Sequence, residues 1–346
     1  MQRPSMAIVN GKEVHPRTSG RHARTNPGRK PSWLKMQIPG GNEFEHIQSM
    51  LRARGLHTVC EEARCPNLGE CWGGGTATMM VLGDTCTRGC RFCAVKTGNP
   101  MGVLDKDEPD KVAESCELMH LRYVVLTSVD RDDLPDGGAS HFAACVVRAK
   151  ARVPGLLVEC LTPDFQGDVA AIETIIASGL DVFAHNLETV RSLTGRVRDK
   201  RAGYDLSLDV LRTAKDLAPT LVTKSSIMLG LGETDRELDQ AFDDLRTAGV
   251  DVLTLGQYLR PTLLHLPVKE YLSPARFEAL RQRALRKGFA YVASGPMVRS
   301  SYRAAEFYLE SRLAGERGQD AGADAAPTVT LTGGDPASVG GSGFAV

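Results

Sequence analysis

Gly83-Asp-Thr-Cys86-Thr-Arg-Gly-Cys90-Arg-Phe-Cys93 is the stretch on which the reading of the whole chain turns. Three cysteines stand in the order C-x₃-C-x₂-C, directly after the apolar run Ala77–Leu82, which reads as a strand. Thiolates this close cannot all pair with one another as disulfides, but they can ligate one compact metal centre. A [4Fe–4S] cluster normally takes four thiolates, so three leave one iron open to bind and reduce a small molecule. A structural zinc site is the alternative, but such sites usually offer a complete four-ligand set built from C-x₂-C pairs. This trio stands alone.

Upstream lies a second trio, Cys60, Cys65 and Cys71, spaced C-x₄-C-x₅-C in a stretch without clean periodicity. Taken alone it is weak, since three cysteines in a loop can be incidental. Beside the first trio it implies a second metal centre, again one thiolate short. The chain has nine cysteines, six of them between Cys60 and Cys93, and no apolar segment of a secretory signal. That clustering points to metal or redox ligands rather than disulfide staples. Cys116, Cys145 and Cys160 fall in predicted helix or strand and read as small buried hydrophobes. The histidines, His120 and His141 among them, show no metal-ligand spacing.

Outward from the first trio the pattern alternates strand and helix. Apolar runs at Ala77–Leu82, Tyr123–Thr127, Leu156–Leu161, Val182–Ala184, Leu221–Leu229 and Val252–Leu255 read as strands. Between them, Lys111–Met119, Ala139–Arg152, Val169–Ser178, Leu206–Leu217 and Glu237–Ala248 carry helical periodicity. Repeated βα units imply parallel strands with right-handed crossovers. About six such units predict a partial (β/α)₆ TIM-type barrel with N- and C-terminal extensions, with a doubly wound sheet as the alternative. A further helix, Pro274–Lys287, and the short run Tyr291–Ser294 lead into Arg299-Ser-Ser-Tyr302.

The domain organisation follows from composition. Residues 1–30 form a basic, Arg-, Pro- and Gly-rich flexible arm, and 31–75 an N-terminal extension with a helix over Asn42–Arg54 and the second trio. Residues 76–302 make the barrel and its closing segment, and 303–346 a helix end and disordered tail. The 346 residues carry 42 basic and 42 acidic side chains, so no global electrostatic pull on nucleic acid is indicated. No apolar run reaches the length of a membrane-spanning helix. A cytoplasmic location is expected.

In a parallel barrel the functional loops follow the carboxyl ends of the strands, which puts the first trio at the barrel mouth. Phe92 is read as shielding a cluster or stacking on an adenine, with plain packing as the alternative. The basic stretch Arg196-Val-Arg-Asp-Lys-Arg201 is expected at the same end.

The pieces together closely resemble the lipoyl synthase family of the radical S-adenosylmethionine (SAM) superfamily. The match runs from Arg29-Lys-Pro-Ser-Trp to Arg299-Ser-Ser-Tyr-Arg-Ala. It includes both trios, Asp130-Arg-Asp-Asp-Leu-Pro-Asp-Gly-Gly138, His185-Asn-Leu-Glu-Thr189 and Met228-Leu-Gly-Leu-Gly-Glu233. The resemblance implies that Cys86, Cys90 and Cys93 hold a cluster that cleaves SAM to a 5′-deoxyadenosyl radical. It implies that Cys60, Cys65, Cys71 and Ser301 hold a second, auxiliary [4Fe–4S] cluster, consumed as the source of two sulfur atoms. An alkoxide binds iron less softly than a thiolate, which makes the serine-ligated iron the place where such a cluster opens. SAM is implied as cosubstrate, with Asn186 and Glu188 at its ribose and Thr127 and Ser128 as weaker candidates at its methionyl end. No catalytic residue beyond the cluster ligands is implied.

The expected reaction inserts sulfur at C6 and C8 of an octanoyl chain on a lysine of a carrier protein. The expected partners are that octanoylated lipoyl carrier, an electron donor such as ferredoxin or flavodoxin, and an iron–sulfur cluster carrier. Burying about six methylenes contributes roughly 5 kcal/mol before ordering costs, so contacts with the carrier protein must add to it; the extended acyl-lysine arm also calls for a narrow apolar tunnel, which the Leu- and Val-rich barrel can supply. Met79 stands where the family commonly has an aromatic, and Ser226 where it commonly has glycine. The rivals are a sulfur inserter of the biotin synthase type, which needs neither the N-terminal trio nor Arg299-Ser-Ser-Tyr302, and a non-enzymatic metal-cluster module.

Overall fold

A computed structural model describes residues 30–34, 76–301 and 308–309, and the backbone of Ala7–Val9, Lys12–Val14 and His57–Thr58. The predicted helix Asn42–Arg54, the trio Cys60, Cys65 and Cys71, and the predicted tail lie outside these residues. The architecture is that of the unit Met1–Tyr308; of the unit Leu309–Val346 only Leu309 is described.

The chain alternates β1 (Thr76–Val81), α1 (Glu108–Leu118), β2 (Tyr123–Ser128), α2 (Ala139–Arg152), β3 (Leu157–Leu161) and α3 (Val169–Ala177). It continues through β4 (Val182–Ala184), α4 (Arg191–Val197), α5 (Tyr204–Leu217), β5 (Val222–Leu229), α6 (Asp235–Thr247), β6 (Val252–Gln257), α7 (Pro274–Arg286) and β7 (Tyr291–Gly295). All seven strands pair in parallel and in chain order, β1 to β7, with His57–Thr58 added antiparallel on the outer edge of β1.

That order decides between the two architectures the periodicity left open. A doubly wound sheet reverses its strand order so that helices cover both faces. Here the order never reverses, so every right-handed crossover lays its helix on one face. The result is a partial barrel of the expected kind. It has one unit more than expected: Tyr291–Gly295 is a seventh parallel strand, in register with β6 from Val252↔Tyr291 to Gly256↔Gly295.

Strand alternation sorts the side chains. Val124, Leu126, Val158, Cys160 and Phe183 pack with Phe142, Val146 and Ile172 of the helix layer. Ile227, Leu229, Leu253 and Leu255 do the same with Phe242, Leu245, Phe277 and Leu280. Each such side chain contributes about 1.5–3 kcal/mol when fully buried. The alternate positions, facing the lumen, mix polar side chains (Tyr123, Glu159, Lys224, Ser226 and Thr254) with apolar ones (Val125, Val182 and Val252). Val124, Leu126, Leu253 and Leu255 belong to the helix layer, because a period of two sends neighbours to opposite faces.

At the amino-terminal end of the lumen, Lys224 Nζ lies 2.7 and 2.9 Å from the two carboxylate oxygens of Glu159. Tyr123 donates its hydroxyl to the same carboxylate at 2.6 Å. All three are 1 % exposed or less, so a satisfied polar plug floors the barrel. The open chemistry is left to the carboxyl end.

Candidate active site

The chain leaves β1 through Leu82 at φ 69° and Gly83 at φ 87°. For leucine the left-handed region costs roughly 1–2 kcal/mol, so the exit from the strand is imposed by its surroundings. Thr85–Cys86 then pairs in parallel with Lys96–Thr97 and closes the base of the cysteine loop. Cys86, Cys90 and Cys93 are half-buried at this end of the sheet and form no disulfide.

The loop offers its sulfurs backbone donors: Arg88 N–H reaches Cys86 Sγ at 3.4 Å and Asp199 N–H reaches Cys90 Sγ at 3.2 Å. Cys86 Sγ in turn donates to Asp130 Oδ2 at 3.5 Å. Burial, with help from the Asp130 charge, pushes the Cys86 thiol well up, and burial pushes Cys90 up to about 12. Metal-free, the pair is protonated; metal binding would release those protons, and the N–H donors favour the thiolate form. This donor set fits a thiolate-bound iron–sulfur cluster.

Arg88, between the first two cysteines, is 4 % exposed. Its guanidinium lies 2.5 and 2.7 Å from the carboxylate of Asp164, and 2.8 and 3.0 Å from that of Asp132. Asp130 stands 3.4 Å away. Burial raises Asp130, whereas the Arg88 hydrogen bonds outweigh burial at Asp132 and Asp164 and hold both below 3.8. Arg201 ties Asp132 to Thr87 O, and the Asp199 carboxylate accepts from Gly89 N–H at 2.7 Å. The stretch 196–201 therefore does meet the cysteine loop, as expected, but largely through hydrogen bonds within the protein.

Beside this loop are the proposed SAM contacts. On the chain after β4, Asn186 Nδ2 donates to Glu188 Oε1 at 3.1 Å. No described residue bonds Asn186 Oδ1 or Glu188 Oε2. Glu188 has φ 70° and is stitched onto β5 through Ser226 O and Met228 N–H. Burial raises its carboxyl, against the pull of Arg198 and Asn186.

Ser128, at the end of β2, has a buried hydroxyl with no partner among the described residues, and strand alternation sets it on the face of Val124 and Leu126. The Thr127 hydroxyl already donates to Leu161 O at 3.0 Å. Arg198 is 8 % exposed and gives one nitrogen to Ser207 Oγ at 2.7 Å, while its Nε is buried without a partner. In sequence Arg198 is one of four basic residues in a stretch of six; burial is what singles it out. Neutral His185 completes this row, with Nδ1–H on Thr162 O and Nε2 accepting from Ser207, its pKa pulled to about 4 by burial and Arg198.

Ser301 is half-buried and follows β7, whose carboxyl end is on the same side of the sheet as the cysteine loop. The segment before it crosses β6 closely: a Cβ on Gly256 would sit 2.2 Å from Val298 O. Gly230, at φ 94°, likewise admits Glu270 O and Gln257 Nε2, each 2.3 Å from a would-be Cβ. Phe92 packs beside Leu231, Tyr258 and Leu266, the plain packing alternative. Met79 is fully buried in the helix-side core and Ser226 lines the lumen. Cys60, Cys65 and Cys71, the expected partners of Ser301, lie outside the described residues.

A family model described as the radical SAM superfamily matches residues 80–245, and one described as the N-terminal domain of lipoyl synthase matches residues 10–65. Lipoyl synthase of Halorhodospira halophila is 62% identical over 276 residues, covering 80% of this chain and 83% of that protein. The Thermus thermophilus lipoyl synthase is 58% identical over 282 residues, covering 82% of this chain and 87% of its own length. The mitochondrial lipoyl synthase of Branchiostoma floridae is also 58% identical, covering 82% and 77%. Among solved structures, methylornithine synthase (PylB) aligns with TM-score 0.50 at 16% identity, covering 70% of this chain and 73% of its own. The FeFe-hydrogenase maturase HydG from Carboxydothermus hydrogenoformans aligns with TM-score 0.51 at 14% identity, covering 63% and 52%. At such identities these two bear on the fold alone.

Proposed function

The chain belongs to the lipoyl synthase family of the radical SAM superfamily, and from that premise we propose how its residues divide the work. The reaction is insertion of two sulfur atoms, at C6 and C8, into a protein-bound octanoyl-lysine, using SAM and a [4Fe–4S] cluster. Its substrate is an octanoylated lipoyl carrier.

Cys86, Cys90 and Cys93 hold the SAM-cleaving cluster. The observation that carries this assignment is the loop itself: three half-buried sulfurs with backbone N–H donors aimed at two of them. Cys60, Cys65, Cys71 and Ser301 hold the auxiliary cluster, supported by the position of Ser301 after β7 on the same side of the sheet. When bound, the two clusters supply the electron that cleaves SAM to a 5′-deoxyadenosyl radical and the sulfur that is inserted. Asn186 and Glu188 bind the ribose hydroxyls through their open oxygens. Thr127 and Ser128 are the weaker candidates at the methionyl end, Thr127 contributing lone pairs only.

Arg88, Asp132 and Asp164 keep the loop in shape, while the Lys224–Glu159 plug closes the far end of the lumen to water. Residues 31–75 are assigned as the extension with the auxiliary ligands, 76–302 as the barrel with its closing segment, and 1–30 and 303–346 as tails. No helix among the described residues is long and apolar enough to cross a membrane. A cytoplasmic site of action, a ferredoxin- or flavodoxin-type donor and a cluster carrier complete the proposal.

The test is anaerobic reconstitution with iron and sulfide, then SAM, reductant and an octanoyl-lysyl peptide. About eight irons and eight sulfides per chain, from two four-iron clusters, and a peptide heavier by two sulfurs less the hydrogens lost are expected. One zinc per chain, or SAM cleaved without sulfur in the peptide, overturns the reading. Alanine at Cys86, Cys90 or Cys93 is expected to abolish SAM cleavage. Alanine at Cys60, Cys65 or Cys71 is expected to spare cleavage and remove product; identical behaviour of both sets, with the first cluster intact, refutes the division of labour.

A further inference from the structure

The left-handed turn at Leu82 is held on three sides by groups that no cluster or SAM contact uses. Its N–H donates to Glu108 Oε2 at 2.9 Å and its carbonyl accepts from Arg131 at 3.1 Å. Its side chain, 2 % exposed, lies under Gly138, where a Cβ would come within 2.7 Å of Leu82 Cδ1. The two anchors are themselves anchored. Glu108, 7 % exposed at the start of α1, takes His141 Nε2 of α2 at 2.7 Å on the same oxygen. Arg131, 1 % exposed, is forked onto Asp133 at 2.8 and 2.9 Å and donates to Val103 O at 2.9 Å.

We infer that Glu108, with His141 behind it and Arg131 opposite, is a positioning residue for the cysteine loop. The turn at Leu82 is the last point at which β1 can set the direction in which Cys86 leaves the sheet. A leucine does not hold φ 69° unaided. An acceptor on its N–H and a donor on its carbonyl, both buried and both fixed from other elements, hold the peptide there. The loop is thereby preformed for its metal before any metal arrives. Glu108, His141 and Cys145 place one ligand atom each within 4.8 Å of one another. Yet Glu108 Oε2 and His141 Nε2 face each other across a hydrogen bond, and the oxygen also serves Leu82. The grouping therefore reads as a clamp rather than an ion site. Sequence spacing missed it because Glu108 and His141 come from different helices.

This inference rests on the cluster assignment only for its purpose, so the test reads the loop without metal. The full-length, metal-free chain is alkylated anaerobically with iodoacetamide. Mass spectrometry follows Cys86, Cys90 and Cys93 against Cys160, a fully buried strand residue that reports global opening. In Glu108→Ala the ratio of loop to Cys160 alkylation is expected to rise about tenfold, the scale of one lost charge-assisted hydrogen bond. In Glu108→Gln, which keeps an acceptor for Leu82 N–H without the charge, it is expected to stay within about twofold of the parent. If E108A does not accumulate as folded protein, His141→Ala decides, with a rise of about threefold or more expected. Loop and Cys160 rates rising together, or a glutamine variant indistinguishable from alanine, overturns the proposal. A failure of cluster reconstitution with the alkylation pattern as expected would count against the functional reading instead.

Discussion

Replacing Arg88 with methionine removes the cation on which Asp130, Asp132 and Asp164 converge, while keeping a side chain of similar length. The Asp164 side chain is fully buried and would keep its charge with its principal partner gone. Asp132 retains Arg201 at 3.0 Å, so most of the loss falls on Asp164 and Asp130. Removing one partner of a buried ion pair costs about 3–5 kcal/mol, a large share of the roughly 5–15 kcal/mol that holds a domain together.

The pH dependence sharpens this expectation. In the parent, Asp132 and Asp164 have lowered pKa values, so their contribution is complete above the ordinary 3.8 and is lost only as pH falls through the folded values. Asp130, raised by burial, acts in the opposite sense and favours the folded state as pH falls. In the variant Asp164 joins Asp130 on the raised side, so acidification relieves its penalty. Between about pH 7.5 and 5.5 the gap between parent and variant should narrow, by about 1.4 kcal/mol for each unit over which one carboxylate takes up its proton. Urea unfolding of the metal-free chains, followed by circular dichroism at both pH values, measures the gap. A loss under about 1 kcal/mol at the higher pH, or a gap that widens on acidification, refutes the reasoning.

Three further outcomes are expected. Lys224→Met strands Glu159 in the lumen floor and should cost about 3–5 kcal/mol in thermal unfolding; adding Glu159→Leu and Tyr123→Phe should recover most of it, and no recovery would rule out the plug. Gly256→Ala sets a Cβ 2.2 Å from Val298 O and must displace the segment leading to Ser301. Reconstituted iron should then fall from about eight to about four per chain with SAM cleavage kept, whereas full iron content would detach Ser301 from the auxiliary cluster. Arg198→Met removes the buried guanidinium with the unpartnered Nε and should weaken SAM binding about tenfold by equilibrium dialysis; unchanged binding would reduce Arg198 to a tie between Leu187 O, Gly203 O and Ser207.

The elements were legible in the sequence because each βα unit repeats the same two periods, and the six expected strands differ from the observed ones only at their ends. Val182–Ala184 matches residue for residue. The short helix Arg191–Val197 was not expected, since seven residues with a central glycine carry too little periodicity. The cysteine loop announced itself through spacing, which is local. What escaped was long-range: Arg88 reaches Asp164 across 76 residues, and Glu108 reaches His141 across 33. Each side chain alone looks like an ordinary surface charge. Burial turns it into a constraint, and burial depends on which face of a crossover a residue occupies.

The same alternation explains how polar groups come to lie inside the barrel. A parallel sheet covered on both faces is apolar on both, whereas this sheet is wound in one direction and carries its helices on one side. Its other face is free to carry polar groups among its valines. At the floor Glu159, Lys224 and Tyr123 satisfy one another. Elsewhere the buried hydroxyls of Ser128, Thr189 and Thr254 and the Nε of Arg198 have no partner among the described residues. A buried group left without a partner costs about 1–3 kcal/mol, and of these the Nε of Arg198 lies next in sequence to Asp199, whose N–H meets Cys90, so a polar occupant there would be favoured. The carboxyl end of the sheet is also where the loop of Cys86, Cys90 and Cys93 leaves β1 and where the chain leaves β7 toward Ser301.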